Sequence, residues 1–349
     1  MSWAERALGE VLSRAAETES LVGERWPLHA DPLSGRWTTT ARGSWTGGFW
    51  AGLLWLRAIV SGELADQAAA SIRTMSLAPW VGADTATRGL IFWYGTALAE
   101  CGAGAATLRD RAARACLDAY DPRLGLVPWG AAFGGPRELA RVDALPGLVR
   151  LLAYAGPHGR NAAQAQLDLQ LKLSAGGGEP HPAWAALPDG SWVPHPEPPV
   201  GWSRTVAWLA LAIADSAHAG QAPRAGGPPF QPTDHPALEE RLAPGSPAIP
   251  PASALRPGGP PDTSAAAIEA VAALKLSALA GRRTSGALRD RAADVLGELV
   301  AAHLRDGRLL DGCYDLDHGV ATRHELVWGD FFLAVGLAIL TDAIAPFAC

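Results

Sequence analysis

The chain has 349 residues, 48% hydrophobic and 18% charged, which is enough apolar material for a substantial core and excludes a disordered chain. A net charge of −6 leaves no basic excess to neutralise phosphates, which argues against a nucleic-acid or anionic-membrane partner. Four scattered cysteines (Cys101, Cys116, Cys313 and Cys349) build neither a disulfide framework nor a CxxC metal knuckle. With no signal-peptide pattern and no apolar run near the roughly 20 residues of a membrane span, a cytoplasmic location is expected.

Helical spacing dominates the chain. Apolar residues recur at steps of three and four near 3–20, 48–61, 64–76, 86–101, 105–119, 143–155, 160–174, 202–218 and 235–243. Ile268, Ala272, Leu276 and Leu279 follow an Asp262-Thr263-Ser264 start that offers N-cap side chains. Leu288, Ala292, Val295, Leu296, Leu299, Val300 and His303 form the next repeat, closed by Gly307, and a last helix is predicted near 328–344. About a dozen helices result, with few alternating strands and connectors rich in Gly, Pro, Asp and Ser. One segment repeats: Leu108-Arg109-Asp110-Arg111-Ala112-Ala113 returns as Leu288-Arg289-Asp290-Arg291-Ala292-Ala293, each copy followed by a short turn-rich stretch. Such a unit, reused half a chain apart, fits a closed ring of helical hairpins, and six would consume the length of a single domain over residues 1–349. The Pro/Gly-rich segment 220–261 reads as an excursion over one mouth of that domain.

Basic charge is nearly all arginine, Lys172 and Lys275 being the two lysines, as GC-rich coding would give. Fourteen tryptophans against four tyrosines is a different signal, because several indoles sit beside glycines and offer flat platforms for the C–H face of a sugar. The patterns GxxxxGK[ST], HExxH and GxSxG are absent from the sequence. Asp315-Leu316-Asp317-His318-Gly319 opens like a calcium loop, but Gly319 stands where the third ligand belongs, so a polar turn is expected, with no metal and no cofactor.

Five segments carry the chemistry: Trp45 to Trp55 (Trp-Thr-Gly-Gly-Phe-Trp-Ala-Gly-Leu-Leu-Trp), Val142-Asp143-Ala144-Leu145, Trp202 to Trp208 (Trp-Ser-Arg-Thr-Val-Ala-Trp), Pro261 to Ile268 (Pro-Asp-Thr-Ser-Ala-Ala-Ala-Ile) and Val327 to Phe332 (Val-Trp-Gly-Asp-Phe-Phe). In order and spacing the chain resembles the unsaturated glucuronyl hydrolases, glycoside hydrolase family 88, over roughly residues 37–344. The resemblance implies an all-α (α/α)6 barrel. It also implies an oligosaccharide or small-molecule substrate ending in a 4,5-unsaturated uronic acid, and so bearing a carboxylate. In that chemistry a carboxyl group protonates C4 of the enol ether, water adds at C5, and the hemiketal opens to expel the aglycone.

By this resemblance Asp143 is the catalytic acid and base; read from its own surroundings alone, ahead of Pro146, it is a helix N-cap. The family's second acid falls on Thr87 and its histidine on Ala86, while Asp84 lies three residues upstream as a substitute or a turn residue. Arg88, turned inward, would face Asp143. Arg204 and Trp208 match the family's Trp-x-Arg-Gly-x-Ala-Trp pattern, with Thr205 and Val206 replacing Gly and Gln. An arginine inside a barrel needs an anionic or carbonyl partner, either a ligand carboxylate or an aspartate such as Asp143 or Asp262. Trp45, Trp129 and Trp328 are candidate walls, and His195 is the nearest match to a ligand-side histidine. Three functions remain open: a glucuronyl-hydrolase-like enzyme, a repurposed barrel enzyme protonating another substrate without a cofactor, and a glycan or metabolite binder.

Overall fold

The computed structural model describes residues 1–99, 102–174, 180–219 and 236–349. Its helices are of two kinds, and the difference follows from composition. One kind is apolar on every side: α2 (Gly47–Ser61) is buried continuously from Gly47 to Leu56, α10 (Thr263–Leu279) from Thr263 to Ser277, and α12 (Val327–Leu340) from Val327 to Ile339. A helix with no polar face belongs in a core. The other kind buries a stripe: α1 (Trp3–Val22) inserts Ala4, Ala7, Leu8, Val11, Leu12, Ala15, Thr18 and Val22, with Arg14 beside them, and turns its opposite face to solvent. Ser2 starts α1 with a reciprocal capping box, its hydroxyl accepting from the Glu5 amide at 3.2 Å.

The two kinds alternate along the chain. Outer helices are α1, α3 (Leu64–Met75), α5 (Ala103–Asp118), α7 (Pro157–Ser174), α9 (Pro236–Leu242) and α11 (Arg282–Glu298). Inner ones are α2, α4 (a π-helical turn, Gly89–Trp93, continued by Tyr94–Thr96), α6 (Leu148–Tyr154), α8 (Arg204–His218), α10 and α12. Each inner helix packs on the next, and α12 returns to α2, so the ring closes as an (α/α)6 toroid, as expected from the sequence. The repeated segment lies on outer helices α5 and α11. Each is followed by a tight antiparallel turn, one bridged by Asp121 and Leu126, the other pairing β6 (Leu304–Arg305) with β7 (Arg308–Leu309).

Two predicted helices differ from expectation at the ring's working end. The one predicted over 86–101 is short and opens with a wide turn, because Gly89 presses against the Leu148 amide, where a side chain would collide. The one predicted over 143–155 starts only at Leu148, since Val142–Ala144 make a 3-10 turn and Gly147 takes φ +70°. Short strands, more than the periodicity suggested, trim the helix ends: β1 (Trp26–Ala30) pairs with β2 (Trp37–Thr40) and β8 (Glu325–Leu326), and β3 (Leu139–Arg141) pairs with β4 (Ala183–Ala186), which pairs with β5 (Trp192–Pro194). Of the Pro/Gly-rich excursion, residues 220–235 lie outside the described residues; α9 packs on α8, and Ala252 and Ser253 reach the cavity mouth. Among the described residues no helix is long and apolar enough to cross a membrane.

Candidate active site

A cavity of about 640 Å³ opens where the N-terminal ends of α2, α4, α6 and α8 converge. Asp143 reaches it from the 3-10 turn between β3 and α6; Val142 and Ala144 on either side are buried and hold the turn in place. No backbone amide among the described residues donates to its carboxylate. Arg141 grips it instead, Nε donating to Oδ1 at 2.9 Å and Nη2 to Oδ2 at 2.7 Å. The Arg141 guanidinium lies 4.0 Å over the ring of Trp129, so indole, guanidinium and carboxylate form one stacked unit in the wall.

Facing this unit are aromatic rings. Trp45 comes from the 3-10 turn before α2 and stacks parallel to Tyr314 with centroids 6.5 Å apart. Trp208, on α8, is buried and closes the inner end. Thr87 is 1% exposed, and its hydroxyl is 2.9 Å from that of Thr85. Arg204, in the first turn of α8, donates to Asp262 at 2.5 Å and to the Tyr314 carbonyl at 2.9 Å, and it also bonds the Cys313 carbonyl. Asp262 accepts in turn from the Ser203 and Ser264 hydroxyls, each at 2.6 Å, and from the Ser264 amide at 3.1 Å, so it caps α10 while neutralising Arg204. Of the two partners expected for Arg204, the structure supplies the aspartate. Burial, with Asp262 nearby, pushes the neighbouring Cys313 thiol up to about 12. At the mouth the 315–318 loop is a polar turn: Asp315 accepts from the His318 amide at 3.0 Å and lies 2.9 Å from its Nδ1, which raises the imidazole pKa.

Of the residues singled out in the sequence, the structure brings together Trp45, Thr87, Trp129, Asp143, Arg204 and Trp208 around one space. It does not bring in the others. Asp84 turns away to the surface, where it pairs with Arg137 at 3.0 Å and accepts from the Ala131 amide, pinning a loop. Arg88 also turns away from the cavity, spending its donors on the Val81 and Thr85 carbonyls at 3.1 Å each. His195 folds back on its own loop, its Nδ1 2.9 Å from the Glu197 carbonyl. Trp328 is fully buried one layer behind, 5.0 Å from Trp45 and 5.6 Å from Tyr314, and shapes the wall without touching the space. Sequence reasoning missed Arg141, Trp202, Glu197 and Tyr314. Arg141 ends β3 just before the turn that carries Asp143; Trp202 lay inside a segment already singled out.

Two searches are silent: no family model and no curated protein matches the chain. Solved structures do match, and they place the chain in the fold class of the unsaturated glucuronyl hydrolases. The unsaturated glucuronyl hydrolase of Bacillus sp. GL1, responsible for the degradation of glycosaminoglycan, superimposes with a TM-score of 0.81 at 20% identity, over 97% of this chain and 96% of that one. One specific for heparin gives 0.83 at 19%, over 97% of each, and one from Streptococcus agalactiae gives 0.81 at 16%, over 97% and 92%.

Proposed function

We propose that this chain is an enzyme of the unsaturated glucuronyl hydrolase type, in which Asp143 protonates the double bond of a cyclic enol ether. The observation that carries the reading is the placement of Asp143: it fronts a cavity of sugar size and, among the described residues, accepts from no backbone amide, so its carboxyl faces the space and does not cap a helix. The resemblance in motif order and the shared fold support it, as does the presence of dGlcA-GalNAc6S in a complex of the Streptococcus agalactiae protein, TM-score 0.74. In the reaction the carboxyl proton goes to the β-carbon of the enol ether, leaving an oxygen-stabilised cation. Water attacks that cation and returns a proton to the carboxylate. The sum is addition of one water, and opening of the resulting hemiketal expels the aglycone. Trp45, Trp129 and Trp208 would hold the ring, and the step needs no cofactor.

One observation favours a second reading, in which the same acid serves a substrate other than an unsaturated uronide. Thr87 occupies the place expected for a second acid, so Asp143 works without a carboxylate there. The test follows the near-ultraviolet absorbance of an unsaturated uronide disaccharide. The first reading expects consumption by the native chain and a fall of about 100-fold or more in Asp143→Asn. Consumption that survives Asp143→Asn removes Asp143 from the chemistry. No consumption by the native chain, with activity appearing in Thr87→Asp, selects the repurposed enzyme.

A further inference from the structure

Among the described residues, three side chains able to carry positive charge line the cavity: Arg141, Arg204 and His318. They are not equally open to an anionic ligand. Arg204 is 3% exposed and gives its donors to Asp262 and to the Cys313 and Tyr314 carbonyls, which ties it into the frame around the start of α10. His318 is exposed at the mouth beside Asp315, and Glu197 and Asp317 line the same cavity. Arg141 differs. Its Nε and Nη2 donate to Asp143, while Nη1 meets no acceptor among the described residues.

The two-pronged grip is the bonding pattern of an ionised carboxylate, whereas the proposed reaction starts from Asp143 carrying a proton. The resting pair is therefore one proton short of the reacting acid. An unsaturated uronide brings the group that changes this. Its carboxylate sits on C5, one bond from C4, the carbon to be protonated. One guanidinium can thus hold the substrate carboxylate on one nitrogen and the acid for C4 on another. Two carboxylates on a single cation leave a negative charge uncompensated, and like charges at that range favour protonating one of them. The ring oxygen of the uronide withdraws electrons from its carboxylate and makes it the weaker base, so the proton falls to Asp143.

We propose that Arg141 reads the substrate carboxylate, and that its occupation by that carboxylate loads Asp143 with the proton the reaction delivers. This rests on the reaction proposed for Asp143. The step balances in charge: the ionised pair, one uronate and one proton from solvent give a neutral Asp143 carboxyl and an arginine–uronate pair. One Asp143 oxygen keeps its bond from Arg141 as the carbonyl of the neutral acid, and the other carries the proton. A neutral ring leaves the pair ionised, so selection for a carboxylate is made at the protonation of the acid.

The experiment is a calorimetric titration of the full chain with methyl β-glucopyranosiduronate, a saturated uronate that cannot be hydrated, in buffers of different ionisation enthalpy. Uptake of about one proton per uronate bound is expected, and affinity is expected to fall about tenfold per pH unit, the slope of one linked proton. In Asp143→Asn the uronate is expected to bind with neither the uptake nor the slope. His318 also loses charge as pH rises, its pKa being raised by Asp315, so His318→Gln is the control and is expected to keep the slope. Arg141→Gln is expected to weaken uronate binding at least about tenfold, and Arg141→Lys, with the charge but not the fork, to recover part of the loss. Binding without proton uptake overturns the proposal, as does a uronate that does not bind or a slope that vanishes in His318→Gln. The reaction proposed for Asp143 fails separately. Asp143-dependent consumption of an unsaturated uronide, with no proton taken up on binding, sinks the coupling alone. Proton uptake lost in Asp143→Asn, with no unsaturated uronide consumed by the native chain, sinks the hydrolase reading alone.

Discussion

His318 and Asp315 give the cavity mouth an imidazole whose pKa is raised. Asp315 supplies a hydrogen bond and a negative charge, and both raise the imidazole pKa above its ordinary value near 6.5. The pairing therefore favours the folded state below the unfolded value and ceases to do so as pH rises through the higher folded value. With the imidazole 65% exposed, water screens most of that stabilisation. The clearer readout is the titration itself: in an NMR pH series Asp315→Asn is expected to lower the His318 midpoint toward the unperturbed value, and an unchanged midpoint would show that the pair does not persist in solution. At this scale the sequence was readable where a motif put a residue at the cavity, as for Asp143 and Arg204. It was unreadable for Asp84 and Arg88, whose direction depends on partners such as Arg137 and the Val81 carbonyl that no local pattern announces.

Among elements, the contact between α2 and α4 is made of backbone. A methyl group on Gly48 would lie 2.0 Å from the Leu90 carbonyl oxygen and 2.4 Å from that of Ile91, so neither helix could keep its place. Gly48→Ala is expected to cost about 3 kcal/mol in denaturant unfolding, the upper end for overpacking. Gly9, in the exposed face of α1 with nothing within 4 Å, is the control, and alanine there is expected to stabilise by about 0.5–1 kcal/mol. A Gly48→Ala loss no larger than a few tenths would mean the helices stand further apart. The inner helices were legible because their apolar residues leave no polar face. The starts of α4 and α6 were not, since Gly89 against Leu148 and Gly147 at positive φ are tertiary fits that periodicity cannot register.

For the molecule as a whole, α8 and α10 carry polarity at both ends. At the cavity end stand Arg204 and Asp262. Eleven residues along α8, about 16 Å away at 1.5 Å per residue, Asp215 and Lys275 pair at 2.6 Å with both side chains almost wholly buried. Lys275→Ala strands the Asp215 carboxylate and is expected to destabilise by about 3–5 kcal/mol, while Lys275→Met with Asp215→Leu recovers most of the loss. Chemical denaturation checks both, and a double variant no more stable than the single one would show that the pair is not what holds this end. The order of the helices could be read from the sequence. This pairing could not, because a lysine in an apolar helix carries no mark of its partner 60 positions away.

The joint between β1 and β8 is reinforced by Arg14 on Glu325, residues 311 positions apart. The first hairpin thus waits for the last before its inner face is covered, and no arc of the circle is a finished object. Loop closure over that distance costs little more free energy than over half of it, but it postpones the reward until β8 has been made. A nascent chain of this design carries uncovered apolar helices until β8 emerges, so the interval before the circle shuts, more than the finished ring, is when it is open to aggregation.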